Sequence, residues 1–296
     1  RMKHRKPFVN LPSTRVVYGE EVRSCIIARE GKKFVCSDLS SMENIWKFNY
    51  QMPHDPEFVK SQQTEDHDPH LDIATEGMLI SEDEVNFYKI VKEGFPKENY
   101  PQTDRILNML DWDEEKQKAE IKRIAKVRAA GKTTNYACQY KSGAKTVSRQ
   151  AKIDMGVAKT LVNAYRKKNW SIDVIEKSLT RKRVSHGTYQ LNPVNDIWYH
   201  LKTEKDSFST LVQGSGAYLL DLWLGYIFFL RQKPEYHIEG GVRLVAQAHD
   251  ENLQEFNDLE GNEETVRKLF DDALAMANKR LAQEIPFGCD TQTGYK

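Results

Sequence analysis

The chain has 296 residues, 39% of them hydrophobic and 29% charged, with a formal net charge of +1. That length accommodates one or two domains with a sizeable core, and the composition excludes a collagenous or intrinsically disordered chain. Four widely spaced cysteines, Cys25, Cys36, Cys138 and Cys289, without a CxxC pair, argue against a disulfide framework or a thiolate zinc site and fit a reducing compartment.

The opening RMKHRKPF does not read as a natural start, so a segment of a longer chain is expected. Residues 1–30 read as loop and then extended backbone. The short apolar run Lys33 to Cys36 reads as a buried strand with Asp38 at its end. A helix is expected over 42–50, then a polar, proline-containing connection from Met52 to Pro69. From about Ser81 to Tyr165 the pattern is mostly helical. Asp113-Glu114-Glu115 suits a helix start ahead of a Lys/Arg/Ala-rich stretch, and a further helix over Gly156 to Lys167 ends near Asn169. Residues 184–200 suggest a hairpin or extended connection. Ser209 to Leu230 follows as a long apolar helix. Its most apolar part, Tyr218 to Leu230, is shorter than the ~20 residues that cross a bilayer and contains Asp221, so it reads as buried. Val242 to Ala248 and Asn252 to Phe256 flank His249-Asp250-Glu251 as a hairpin with acids at its turn. Glu263 to Leu281 closes the series as an amphipathic helix burying Val266, Leu269, Phe270, Ala273, Leu274 and Ala277.

The near-zero net charge conceals an asymmetry. Between Lys116 and Arg183 there are 19 basic residues against 4 acidic ones, and the rest of the chain carries a net of −14. A basic middle in an acidic frame points to an anionic partner such as a phosphate chain, or to solvated helix faces. Two features give that charge a place. Asp38 and the pair Asp250-Glu251 lie about two hundred residues apart, each by an apolar strand, and carboxylates brought together in this way suit hard cations such as Mg²⁺. Each acid alone would equally serve a turn or a cap. Arg128, Lys132, Tyr136 and Tyr140 recur every four residues, which on a helix aligns two cations and two rings along one stripe able to hold a nucleoside triphosphate lengthwise. The plainer reading is an exposed helix with cation–aromatic contacts.

The run RAAGKTTNYACQY (Arg128 to Tyr140) resembles the fingers-helix motif of family A DNA polymerases, R-x3-K-x3-[FY]-x3-Y. SDLSSMEN (Ser37 to Asn44) resembles that family's first palm motif, D-x-S-x-x-E, and AHDEN (Ala248 to Asn252) its second, H-D-E, in the family's order and spacing. NLP (Asn10 to Pro12), VRSCIIA (Val22 to Ala28), DPHLDIA (Asp68 to Ala74) and LVQGSGA (Leu211 to Ala217) extend the resemblance over nearly the whole chain. It implies an α+β fold of right-hand architecture, an antiparallel-sheet palm with a mostly helical fingers subdomain inserted. The palm would occupy residues 1–74 and 185–296 and the fingers 75–184.

The resemblance also implies roles. Asp38 and Asp250 would be the metal carboxylates for two Mg²⁺ ions, with Glu251 assisting. Glu43 would crowd a ribose 2′-hydroxyl. Arg128 and Lys132 would hold the triphosphate, Lys132 also protonating the leaving pyrophosphate. Tyr136 would confer tolerance of dideoxynucleotides, and Tyr140 would stack near the templating base. Gln213 would read the minor groove, His249 would contact the primer terminus, and Arg23 and Lys205 would lie along the DNA. The implied activity is primer extension on a DNA template by two-metal nucleotidyl transfer, with primer-template DNA and deoxynucleoside triphosphates as partners, in the cytoplasm of a bacterial or phage-infected bacterial cell. No membrane is involved, and protein partners are unspecified.

The sequence departs from the family at Lys141, where glycine is usual, at Ile45, where arginine is frequent, and at Lys205 and Ser209, which replace arginine and asparagine. A different turn after the fingers helix is expected from the first. His67 and His70 with Asp66 and Asp68 could suit a transition metal, but the DPH match favours an ordinary loop. Trp46, Trp170, Trp198 and Trp223 read as core or interface residues, and Gly214 to Gly216 as a site of close backbone approach. Competing readings are a single-subunit phage-type RNA polymerase, opposed by Glu43, and a non-catalytic nucleic-acid-binding relative.

Overall fold

The structure, a computed structural model, describes residues 17–248 and 251–295. Asn10 to Pro12, His249 and Asp250 lie outside the described residues, as does the side chain of Arg23. In chain order the elements are α1 (Gly19–Ser24), β1 (Lys32–Leu39), α2 (Met42–Gln51), α3 (Pro56–Ser61), α4 (Pro69–Glu76), α5 (Glu82–Tyr88), α6 (Asp104–Leu110), α7 (Glu114–Gln139), α8 (Ala144–Ala151), α9 (Met155–Lys168), α10 (Ser171–Ser178), β2 (Arg181–Val184), β3 (Gly187–Asn192), β4 (Ile197–Leu201), α11 (Ser207–Leu230), β5 (Val242–Ala248), β6 (Glu251–Asn257), α12 (Asn262–Leu281) and β7 (Cys289–Gly294). No helix among the described residues is long and apolar enough to cross a membrane.

The chain forms two compact units. The first comprises residues 1–49, 192–197 and 211–296; the second comprises 50–191 and 198–210. Helix α4 lies in the second unit, packed on α7 and α9.

The first unit is built on an antiparallel sheet of order β5-β6-β1-β7. In β1 the alternation sends Val35, Ser37 and Leu39 inward, while Asp38 is exposed. Asp38 is thus inside the strand, at its seventh position of eight, and not beyond its end. Helix α12 buries all six apolar residues expected of it. Trp223 of α11 meets Phe270 of α12 edge-on, with centroids 5.8 Å apart, and donates its indole N–H to the Phe270 carbonyl at 2.9 Å. That bond satisfies the indole within an apolar layer. Trp46 is equally buried and packs 5.0 Å from Phe287. A Cβ on Gly216 would lie 2.6 Å from the Met42 sulfur, so this glycine admits a side chain of α2. Strand β7, with the sequence CDTQTG, has no apolar alternation. It becomes a strand by pairing along β1 from Phe34↔Gly294 to Leu39↔Cys289, a tertiary cause invisible in local composition.

The second unit is helical, with a small β2-β3-β4 sheet. The stretch expected as a connection, 52–69, contains α3. Asp55 caps it by accepting from the Phe58 N–H at 3.3 Å, with Pro56 at the first helical position. Residues 17–30, expected as loop and extended chain, include the short helix α1. Trp170 and Trp198 are about half exposed and so are not core residues. Helix α7 starts where Asp113 accepts from the Lys116 N–H at 2.8 Å, with Glu114 and Glu115 on its positive end. It ends with Lys141 at φ = 51°, the left-handed conformation glycine visits freely. The Ser142 N–H closes the turn on the Ala137 carbonyl at 2.9 Å. Lys141 holds this geometry with its ammonium on Glu176 of α10.

Candidate functional site

The sheet brings distant acids together. Pairing of β1 with β6 sets Asp38 directly opposite Glu251, and pairing with β7 sets it opposite Asp290. Opposed residues share a face, so three exposed carboxylates form a row across neighbouring strands. Ala248 pairs with Glu251, and the two residues between them are His249 and Asp250. The β5–β6 register shifts between Leu244 and Ala246, a bulge that leaves Val245 unpaired close to this acidic end. Cys36, two residues before Asp38, donates its thiol to Glu251 at 2.9 Å. Burial, reinforced by that carboxylate, pushes the thiol up to about 12, so it stays a neutral donor at physiological pH. Asp290 carries no local sequence signal, because CDTQTG has no apolar alternation to mark β7.

Directly opposed like charges destabilise a sheet, and a hard divalent cation relieves the repulsion, so the oxygen donors here suit Mg²⁺ chemically. Among the described residues no group of three or more His, Cys, Asp or Glu is gathered closely enough to hold an ion. In the same unit Glu43 occupies the first turn of α2, half-buried, and Gln213 lies exposed on α11.

In the second unit α7 turns one face inward, through Ile124, Ala130, Gly131, Thr134, Ala137 and Cys138. The other face carries half-buried Arg128 and exposed Lys132 and Tyr136, and exposed Tyr140 is the residue that ends the helix. The Lys132 ammonium lies 6.0 Å from the Tyr136 ring centroid, and among the described residues it forms no ion pair. The start of α4 docks beside this stripe. A Cβ on Gly131 would fall 2.2 Å from the His70 carbonyl oxygen, so only glycine permits the approach. Asn135 donates to the Pro69 carbonyl at 2.8 Å and bonds His70 Nδ1 at 3.0 Å, and the His70 ring stands 6.2 Å from Tyr136.

The acids and histidines of residues 66–70 are dispersed into separate contacts. Asp66 faces Lys89 at 3.3 Å, His67 faces Asp72 at 3.9 Å, and Asp68 pairs with Arg128. Burial pushes Asp68 up, and the Arg128 guanidinium with the Leu71 and His70 N–H groups overcomes it, holding the carboxyl below the usual range. Burial opposes the Arg128 charge, and the same carboxylate more than restores it.

Lys205 opens onto a cleft of about 400 Å³ whose wall includes Gln139, Lys141, Tyr165, Arg166 and Asn169. The Tyr165 hydroxyl, the Gln139 amide nitrogen and the Asn169 amide oxygen on that wall are buried and have no hydrogen-bond partner among the described residues. Burial raises the Tyr165 hydroxyl above its ordinary range, which keeps it neutral.

No protein-family model and no curated protein matches the sequence. Among solved structures the fold is similar to the POL domain of Pol1 from M. smegmatis in complex with DNA primer-template and dNTP. The TM-score is 0.56 and the identity 14%, over 98% of this chain and 44% of that one. The chain therefore spans less than half the length of that structure, and its mixed helical and antiparallel-sheet fold resembles a DNA polymerase domain.

Proposed function

We propose that the chain is the palm and fingers portion of a family A DNA polymerase, phage-like in type, that adds deoxynucleotides to a primer 3′-hydroxyl on a DNA template and releases pyrophosphate. The observation that supports this most is the β1–β6 register, which makes Asp38 and Glu251 neighbours beside the Asp250 position. Asp38 and Asp250 hold two Mg²⁺ ions in this reading, and Glu251 reinforces them. Bound there, the ions supply Lewis-acid activation of the attacking hydroxyl and charge stabilisation at the leaving oxygen.

The chain's own residues do the rest. Arg128 presents a planar fork and Lys132 a point charge to the triphosphate, and Lys132 donates a proton to the departing pyrophosphate. Tyr136 lies along the sugar and base, and its hydroxyl makes the enzyme tolerant of dideoxynucleotides. Tyr140 stacks near the templating base. Glu43 excludes the ribose 2′-hydroxyl. Arg23, Lys205, Gln213 and His249 contact the primer-template, mainly through phosphates for the cations, so DNA affinity falls with salt.

Primer extension with deoxynucleotides or ribonucleotides in parallel tests this reading. Templated DNA synthesis with poor ribonucleotide use is expected. Efficient RNA synthesis would favour the phage-type RNA polymerase, and DNA binding without any extension would favour the non-catalytic relative.

A further inference from the structure

Arg128 is gripped by an acid to which no motif assigns a role. We propose that Asp68 is a positioning residue for nucleotide binding, clamping Arg128 through Nε so that the two terminal nitrogens of the guanidinium stand ready for the triphosphate. The proposal rests on the reading of α7 as the nucleotide-binding helix.

The geometry separates the two oxygens of Asp68. Oδ1 accepts from the backbone N–H of His70 at 2.8 Å and of Leu71 at 3.0 Å, capping α4, while Oδ2 accepts from Arg128 Nε. The carboxylate is 8% exposed and is therefore immobilised by backbone on one side. That backbone is itself fixed on α7 by the close approach at Gly131 and by the two Asn135 bonds. A guanidinium carries five N–H donors, and the contact with Asp68 uses the one on the stem side. Among the described residues the terminal nitrogens of Arg128 make no hydrogen bond or ion pair. These are the donors that recognise phosphate in a bidentate manner. Holding a long side chain in place before the ligand arrives removes its ordering from the cost of binding.

A purely structural Asp68 would only cap α4, and the two roles come apart in one substitution. Asp68→Asn keeps an amide oxygen for the cap, since asparagine caps as well as aspartate, but turns an N–H group toward Arg128. In steady-state primer extension with the full chain, Asp68→Asn should raise KM for the deoxynucleotide roughly tenfold and leave kcat within about threefold. Asp68→Glu, which keeps the charge on a longer arm, should fall between the two and guards against a folding defect in the first variant. In an Arg128→Ala background Asp68→Asn should add nothing further, because the partner it serves has gone. Wild-type extension with an unchanged KM in Asp68→Asn, or an equal loss with and without Arg128, would overturn the clamp alone. Failure of the wild type to bind deoxynucleoside triphosphate would overturn both the clamp and the polymerase reading.

Discussion

In the sheet unit Asp38 and Glu251 become neighbours because β1 and β6 pair in one register, whereas in the helical unit Arg128, Lys132 and Tyr136 share a face through the helical repeat alone, with Tyr140 just past the helix end. The first grouping needs the ends of the chain to fold together. The second needs only that α7 form and stand on the side that α4 leaves open. A slip of one residue in the β1–β6 register would turn every acid to the opposite face, while a local fault in α7 would displace only its neighbours. The two groupings should therefore fail differently.

The largest expected effect is at the acid row. Asp38→Asn should lower nucleotide addition by more than about 10²-fold while DNA affinity, read by gel shift, stays near that of the wild type. Lys132→Ala should act on the other half of the comparison, with a loss of roughly 10²-fold in kcat/KM, since under the proposed function it would remove both a phosphate contact and a proton donor. Gly131→Ala challenges the docking of α4 on α7. Helix propensity would gain from alanine, but a methyl 2.2 Å from the His70 carbonyl oxygen forces backbone to move. A net destabilisation of about 1–3 kcal/mol is expected in denaturant titrations, with a raised KM for nucleotide.

Lys47 of α2 sharpens the contrast from the sheet side, as a buried cation that no motif explains. Burial lowers its ammonium to about 8. Between there and the ordinary lysine value the folded chain binds fewer protons than the unfolded chain, so stability should rise with pH across that window. Lys47→Met should abolish the rise and stabilise the protein at pH 7 by about 2–3 kcal/mol, as denaturation curves from pH 7 to 10.5 would reveal.

What the sequence made legible follows the same division. The faces of α7 and α12 were readable because helical periodicity is local, and β1 because its apolar run is short and bounded. Asp290 was not readable, since CDTQTG carries no strand signal until β1 pairs with it. Helix α3 was concealed by the polarity of its surroundings, although Asp55-Pro56 is a recognisable start. The Asp68–Arg128 pair joins residues sixty positions apart, and periodicity in α7 says nothing about which acid meets its stripe. DPH marked the segment in the sequence without stating what its aspartate holds. Lys141 shows that a non-glycine residue can hold the left-handed turn after α7 where its side chain finds an acid to anchor it, here Glu176.

The most direct test of the central claim is single-nucleotide primer extension with Mg²⁺ by the wild type and Asp250→Asn, with DNA affinity measured on the same samples. The wild type is expected to add the one deoxynucleotide complementary to the template, and Asp250→Asn to lose that addition while keeping its DNA binding. Untemplated or absent addition by the wild type, or undiminished addition by Asp250→Asn, would contradict it.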